Sequence, residues 1–211
     1  MRDHFKDFMT GTVKAVLFDL DGVIINSPLD LGAIKRELFG DENVYIIEGL
    51  DSLPDNEKSE KEKILLEREL QAASNSTVNP DAEKIFSWLE VNGLSRGIVT
   101  RNSRDVVNVI CKLHGLEFDV VVAREDAPPK PAKESVLTAC KELGVTPEET
   151  IMVGDYAFDI EAGHLAGCRT AFLETEDYAH LESGEDFWIK SLIELIGIVG
   201  KINSGSGVIS K

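Results

Sequence analysis

The short apolar run Val16, Leu17 and Phe18 ends on two aspartates one residue apart, Asp19 and Asp21, with Gly22 directly after them. Such a run reads as a buried strand, and its acids fall where a parallel strand delivers the chain to a turn. Far along the chain the construction returns. Ile151, Met152 and Val153 lead through Gly154 to Asp155, and Asp159 stands one helical turn further on. The first acid pair alone suits a turn, since Asp and Gly are common there for local hydrogen-bonding and backbone reasons. Together the two pairs fit a purely structural role poorly, because neighbouring carboxylates repel and raise at least one pKa unless a cation compensates. With both strands in one parallel sheet, three or four carboxylates reach the same edge as a set of hard oxygen donors suited to Mg²⁺.

The stretch between and beyond these strands alternates helix and strand. Pro80 suits a first helical turn; Ile85, Phe86 and Leu89 form an inward stripe, and Asn92 with Gly93 supply the stop before a strand over 97–99. A helix over 103–113, a strand over 118–123 and a helix over 132–143 closed by Gly144 follow. Thr146, Pro147 and Glu149 form a capping box ahead of the strand 151–153. A helix over 159–166, closed by Gly167, and a strand over 169–173 complete the series. This order predicts an α/β fold, a parallel sheet between two layers of helices joined by right-handed crossovers.

Residues 26–79 break the rhythm. They read as a helix over 31–39, a loop holding Gly40, Gly49 and Pro54, and a long charged helix over 57–73 with Ile64, Leu65, Leu66 and Leu70 as its apolar stripe. The expected organisation is therefore a core of residues 1–25 and 80–202, a small helical insertion at 26–79, and a Gly- and Ser-rich tail at 203–211 that frays.

Four ordered segments carry a family resemblance: Phe18, Asp19, Leu20, Asp21, Gly22 and Val23; Ile98, Val99, Thr100, Arg101 and Asn102; Lys130 with Pro131 and Ala132; and Gly154, Asp155 and Asp159. In this combination the chain resembles the haloacid dehalogenase-like hydrolase superfamily, in the branch of the phosphoglycolate phosphatases and β-phosphoglucomutases. The resemblance implies a Rossmann-like core with three layers, and a small helical cap, inserted between the first and second motifs, that chooses substrates. It implies Asp19 as nucleophile and Asp21 as the acid and base that serves the leaving oxygen and then the water. It also implies a Mg²⁺ held by Asp19, Asp155 and the backbone carbonyl of Asp21, with Asp159 either a further ligand or the partner that orients Lys130. Thr100, the amides of Arg101 and Asn102, and Lys130 are the expected phosphate cradle, since a strand leading into a helix N-terminus favours bound anions. Of the basic residues that could recognise a substrate anion, Arg36, Lys58, Lys61, Arg68 and Arg101, only Arg101 adjoins Thr100. Asn26 and Ser27 stand where the family often has Asp and Ser, which bears on hinge contacts of the cap and not on the nucleophile.

Composition closes off several classes. With 22 basic against 38 acidic residues among 211, the formal net charge is −16, the wrong sign for a surface that grips a nucleic-acid backbone. No stretch approaches the roughly 20 apolar residues of a membrane span, and residues 1–8 lack the apolar centre of a signal peptide, so a cytoplasmic location is expected. Cys111, Cys140 and Cys168 are odd in number and widely spaced, as for buried reduced thiols. His4, His114, His164 and His180 have no ligand spacing, and Trp88 and Trp188 read as core or rim aromatics.

The function expected is a Mg²⁺-dependent phosphatase acting on the phosphate monoester of a small metabolite. A haloacid dehalogenase has no leaving alcohol to protonate and so no use for Asp21, and a phosphonate-cleaving relative needs a cap lysine in an apolar setting, which Lys35, Lys58, Lys61 and Lys63 lack. A phosphomutase would use the same four motifs beneath a cap that shuts out water. An idle binding module of this fold has no physical need for the costly acid cluster.

Overall fold

The fold is given by a computed structural model, which describes residues 11–175 and 184–205. The opening segment 1–8, His4, His180 and the last six residues of the tail lie outside the described residues. The described chain forms two compact units. One comprises residues 11–26, 78–101, 117–175 and 184–205, and the other comprises Ser27–Thr77 and Asn102–Leu116.

The first unit is built on six parallel strands: β1 (Ala15–Phe18), β4 (Ser95–Val99), β5 (Val120–Val122), β6 (Thr150–Gly154), β7 (Arg169–Leu173) and β8 (Phe187–Ile189). Their order across the sheet is β5-β4-β1-β6-β7-β8, which puts β1 at the centre. Every residue of β1 is buried, as its unbroken apolar sequence requires of a strand covered on both faces. Successive residues of a strand point to opposite faces, and β1 shows what lies on each. Leu17 packs with Val136 and Ala139 of α6 (Glu134–Leu143) and Ala162 of α7 (Ala157–Ala166). Phe18 instead meets Phe86 of α4 (Ala82–Val91) edge to face, with ring centroids 5.8 Å apart. Helices therefore cover both faces, α4 beside α8 (Glu194–Asn203) on one and α6 beside α7 on the other. The predicted stops hold: α6 and α7 close on Gly144 and Gly167, both left-handed. In this sheet and its covering helices, the edge strand β8 and the helix α8 went unread. The carboxamide of Asn203, at the end of α8, accepts from the Val13 amide at 2.7 Å and donates to the Val13 carbonyl at 3.0 Å, tying α8 to the lead-in of the central strand.

The second unit is helical, with α1 (Leu31–Phe39), α2 (Ile46–Asp51), α3 (Asp55–Ala73) and α5 (Arg104–His114), the last packed along α3. Ile34, Leu38, Leu50 and Leu65 make its core. Along the chain, the first unit gives way to this one after Asn26 and resumes after Thr77, at the short paired strands β2 (Ile25–Asn26) and β3 (Thr77–Val78). α2 falls where the sequence predicts a loop. Gly49 reads as a breaker, yet it is a contact: a Cβ at this position would sit 2.6 Å from Val44 and 2.9 Å from the Phe39 ring, so glycine lets α2 pack close. Several charged residues of this unit pair with one another. Arg36 pairs with Glu42, Lys58 with Asp51 and Arg68 with Glu37, while Lys61 donates to the Leu38 carbonyl.

Candidate active site

Parallel pairing delivers the motif residues to one edge of the sheet. Phe18 stands in register with Ile98 of β4 and Val153 of β6, so Asp19 emerges level with Val99 and Gly154, and Thr100 and Asp155 follow one residue on. The ladder continues past the strand ends. The Asp19 amide donates to the Val153 carbonyl at 2.8 Å and the Thr100 amide to the Val122 carbonyl at 3.0 Å, which fixes the backbone beneath both side chains.

After Asp19 the chain turns tightly. The amides of Ile24 and Ile25 both donate to the Leu20 carbonyl at 2.9 Å, and that of Gly22 donates to Ile25 at 2.8 Å. Asn79 holds the turn from outside through bonds to the carbonyls of Val23 and Ile24. Gly22 is needed here twice over. Its φ is +75°, and a Cβ would lie 2.1 Å from Asp155 Oδ2, so no other residue lets the turn approach that carboxylate. Gly154 plays a similar part beside Asp159, whose Cβ would be 2.1 Å from any Cβ at position 154. Both glycines stand in the quoted motifs, but only the tertiary structure shows what they make room for.

Asp19, Asp155 and Asp159 each offer an oxygen within 4.8 Å of the others. Lys130, from the loop between β5 and α6, enters this group almost fully buried, at 1% exposure. Its Nζ donates to Asp19 Oδ1 at 2.7 Å and lies 2.5 Å from Asp159 Oδ1. The other oxygen of Asp159, Oδ2, accepts from the Tyr156 amide at 3.1 Å. The contacts of Asp159 thus run to the Lys130 ammonium and to the Tyr156 amide.

The electrostatics follow from this packing. Burial lifts the Asp155 carboxyl most strongly, the charges of Asp19 and Asp159 add to the lift, and it ends at about 8. Burial likewise raises Asp159, Lys130 pulls it back, and it settles at about 6. Burial alone would lower the Lys130 amine, but Asp159 and Asp19 outweigh it and leave it above its ordinary value, so the lysine is a cation at any pH of interest.

Asp155 therefore weakens the metal-free fold as pH rises. An acid raised in the folded state holds its proton better there than in the unfolded chain, so stability is fully present below 3.8 and is lost as pH climbs to about 8. Asp155→Asn is accordingly expected to melt higher than wild type in EDTA. The gap widens from pH 5 to pH 8, reaching several degrees. Calorimetric melts of the two proteins across that range check it, and equal slopes with pH would refute it.

The remaining predicted residues are placed as follows. Thr100 is buried at the end of β4, and Asp21 is half-buried in the turn, where its backbone bridges to Ile25. Arg101 sends Nη1 to the Lys130 backbone carbonyl and lies over the Phe158 ring, 5.1 Å from its centroid. Asn102 is buried at the head of the segment that belongs to the helical unit, ahead of the Ser103 cap of α5. His164 bonds Thr170 at 2.8 Å through Nε2, Cys140 and Cys168 are buried free thiols, and Trp188 packs on Phe172 with centroids 4.8 Å apart. No described helix is long and apolar enough to cross a membrane.

The haloacid dehalogenase-like hydrolase family model matches residues 13–167, which span all four motifs. The chain belongs to that family. An uncharacterized hydrolase of Saccharomyces cerevisiae is 32% identical over 92% of this chain and 94% of its own. A putative pyrophosphatase PpaX of Clostridium perfringens is 31% identical over 91% of this chain and all of its own. The crystal structure of a phosphatase of the same superfamily from Thermococcus onnurineus superposes with a TM-score of 0.68 at 26% identity, covering 93% of this chain and 100% of that one. The chain is thus a haloacid dehalogenase-like hydrolase with the expected Rossmann-like core. In this hydrolase Arg101, Tyr156 and Phe158 were not legible as a group, since a cation and two aromatics spread over two motifs become neighbours only when the sheet forms.

Proposed function

We propose that this hydrolase is a Mg²⁺-dependent phosphatase that cleaves the phosphate monoester of a small metabolite through an aspartyl-phosphate on Asp19. The observation that supports it most is the Asp19 carboxylate at the sheet edge, 2.7 Å from Lys130 Nζ, with oxygens of Asp155 and Asp159 within 4.8 Å.

The donor set fits magnesium. Three carboxylates against one ammonium leave two formal negative charges once all are ionised, all donors are hard oxygens, and Lys130 pairs with Asp19 and Asp159 while Asp155 is pushed up to about 8. Asp19, Asp155 and the backbone carbonyl of Asp21 are the groups that would hold it, with Asp159 behind them. When bound, the ion screens the repulsion between an anionic nucleophile and an anionic substrate and polarises the phosphoryl oxygens.

Asp19 attacks phosphorus in line with the leaving oxygen, giving the acyl phosphate and splitting hydrolysis into two displacements. Asp21 protonates the departing alkoxide, then takes the proton of the water that resolves the intermediate. Lys130, Thr100 and the Arg101 amide receive the phosphoryl oxygens as their charge redistributes. The pyrophosphatase names among the relatives put pyrophosphate on the list of substrates to try beside the monoesters.

The test is a panel of sugar phosphates, phosphoglycolate and pyrophosphate, assayed for inorganic phosphate in MgCl₂ and in EDTA. At least one monoester is expected to turn over about 100-fold faster with Mg²⁺, and excess Mg²⁺ restores the EDTA-treated enzyme. Release that is indifferent to the chelator, or none from any monoester, would overturn the proposal.

A further inference from the structure

We infer that the side chain of Arg101 positions Lys130, fixing the backbone from which the lysine reaches Asp19 and Asp159, and that its guanidinium is not a subsite for the substrate anion. The inference rests on the role of Lys130 proposed above.

Arg101 leaves the end of β4 directly after Thr100, and its guanidinium is engaged on both sides. Nη1 donates to the backbone carbonyl of Lys130, and the group lies 5.1 Å from the Phe158 centroid. Phe158 is itself packed edge to face on Tyr156, with centroids 5.1 Å apart and planes at 87°. Tyr156 donates its amide to Asp159 Oδ2. One side chain from the second motif therefore touches both the segment that carries Lys130 and the first turn of α7, which carries Asp159.

A lysine side chain is long and flexible, and its ammonium is a point charge with no directional fork of its own. At Lys130 the far end is fixed by two carboxylates, Asp19 at 2.7 Å and Asp159 at 2.5 Å. The near end is the backbone, and its carbonyl is what Arg101 holds. With both ends tied, Nζ stays where the phosphoryl charge develops. With the near end loose, the two carboxylates can keep the ammonium while the loop drifts, and a displacement of an ångström in a charged group aimed at the transition state costs up to about 100-fold. Guanidinium suits the task because a planar group stacks on a ring and still directs an N–H in its own plane to a carbonyl, a combination an ammonium does not reproduce.

The experiment compares wild type, Arg101→Met, Lys130→Met and the double variant on the monoester that turns over best. Arg101→Met is expected to lower kcat by about 10-fold or more with KM changed less than about twofold, and to add nothing in the Lys130→Met background. A rise in KM at constant kcat would make Arg101 a substrate contact. A lower Tm with unchanged kcat and KM would make it merely structural, and a full additional loss in the double variant would make it independent of Lys130; each overturns the inference. A second readout needs neither metal nor turnover: acetic anhydride labelling of Lys130 in the EDTA-treated protein, followed by mass spectrometry. The buried, ion-paired amine of wild type resists it, and Arg101→Met is expected to label at least about 10-fold faster while the fold persists. Unchanged labelling refutes the tether. If wild type hydrolyses no monoester at all, the phosphatase reading has failed and labelling alone decides the inference. Should Arg101→Met not fold, Arg101→Lys carries the same tests, with losses expected in the same direction.

Discussion

Asp19→Asn is expected to lower kcat for the best monoester by at least about 10⁴-fold, the scale on which removal of an attacking group acts. Asparagine keeps the shape of the side chain but its amide does not attack phosphorus, so neither displacement can begin. Wild-type enzyme quenched in acid during turnover should carry a phosphoryl group on the peptide containing Asp19, and the variant should carry none. Loss of fold is a poor explanation for such a result, because Asp19 is one of the charges that push the Asp155 carboxyl up to about 8. Taking that charge away relieves the cluster, and the metal-free variant should melt no lower than wild type at pH 8. Retained turnover, or a phosphoryl group found on another peptide, would remove Asp19 from the chemistry.

Lys130→Met is expected to damage both activity and stability. The lysine is 1% exposed and ion-paired to Asp19 and Asp159, of which Asp159 is also buried. Methionine fills much the same volume but leaves these carboxylates without their cation, and breaking a buried pair from one side costs about 3–5 kcal/mol. The protein escapes part of that cost by holding a proton on Asp159, whose carboxyl loses the partner that now restrains it near 6. Such a raised acid stabilises the fold only while it stays protonated, so the variant should lose stability more steeply than wild type as pH rises above about 6. Urea midpoints at pH 5.5 and pH 8 measure the difference. The remaining folded enzyme, assayed with Mg²⁺ below the unfolding transition, should be slower by about 100- to 1000-fold, the usual loss when one preorganised charge is removed from a transition state. A variant as stable at pH 8 as at pH 5.5, or one with full activity, would show that Lys130 is not the central cation of the site.

Much of the fold was legible because its signals are local. β1 and β6 announce themselves as short apolar runs that end in acid, and α6 and α7 stop at the glycines expected to stop them. The exceptions have physical reasons. β8 is a three-residue edge strand whose Trp188 is 37% exposed, so it presents no buried run to read. α8 contains Gly197 and Gly200, both in open space, which lowers local helical preference while packing of Leu195, Val199 and Ile202 supplies what propensity lacks. α2 hides behind Gly49, where a residue that usually breaks a helix serves close contact instead.

The acids, the lysine and their order along the chain are properties of the sequence alone, and the proposed chemistry, oxygen donors for a hard cation and a carboxylate nucleophile, is read from them. Which carboxylate takes which partner is a matter of three dimensions. Lys130 and Asp19 are 111 positions apart, and their 2.7 Å bond depends on strand register and loop path, neither of which is written in either segment. The same holds for the guanidinium of Arg101, which looks like a ligand for an anion in one dimension and is found bonded to a backbone carbonyl and lying over a ring in three. Sequence specifies the charges. Electrostatic energy depends on their separations and on exclusion of water, and only the packed sheet sets those.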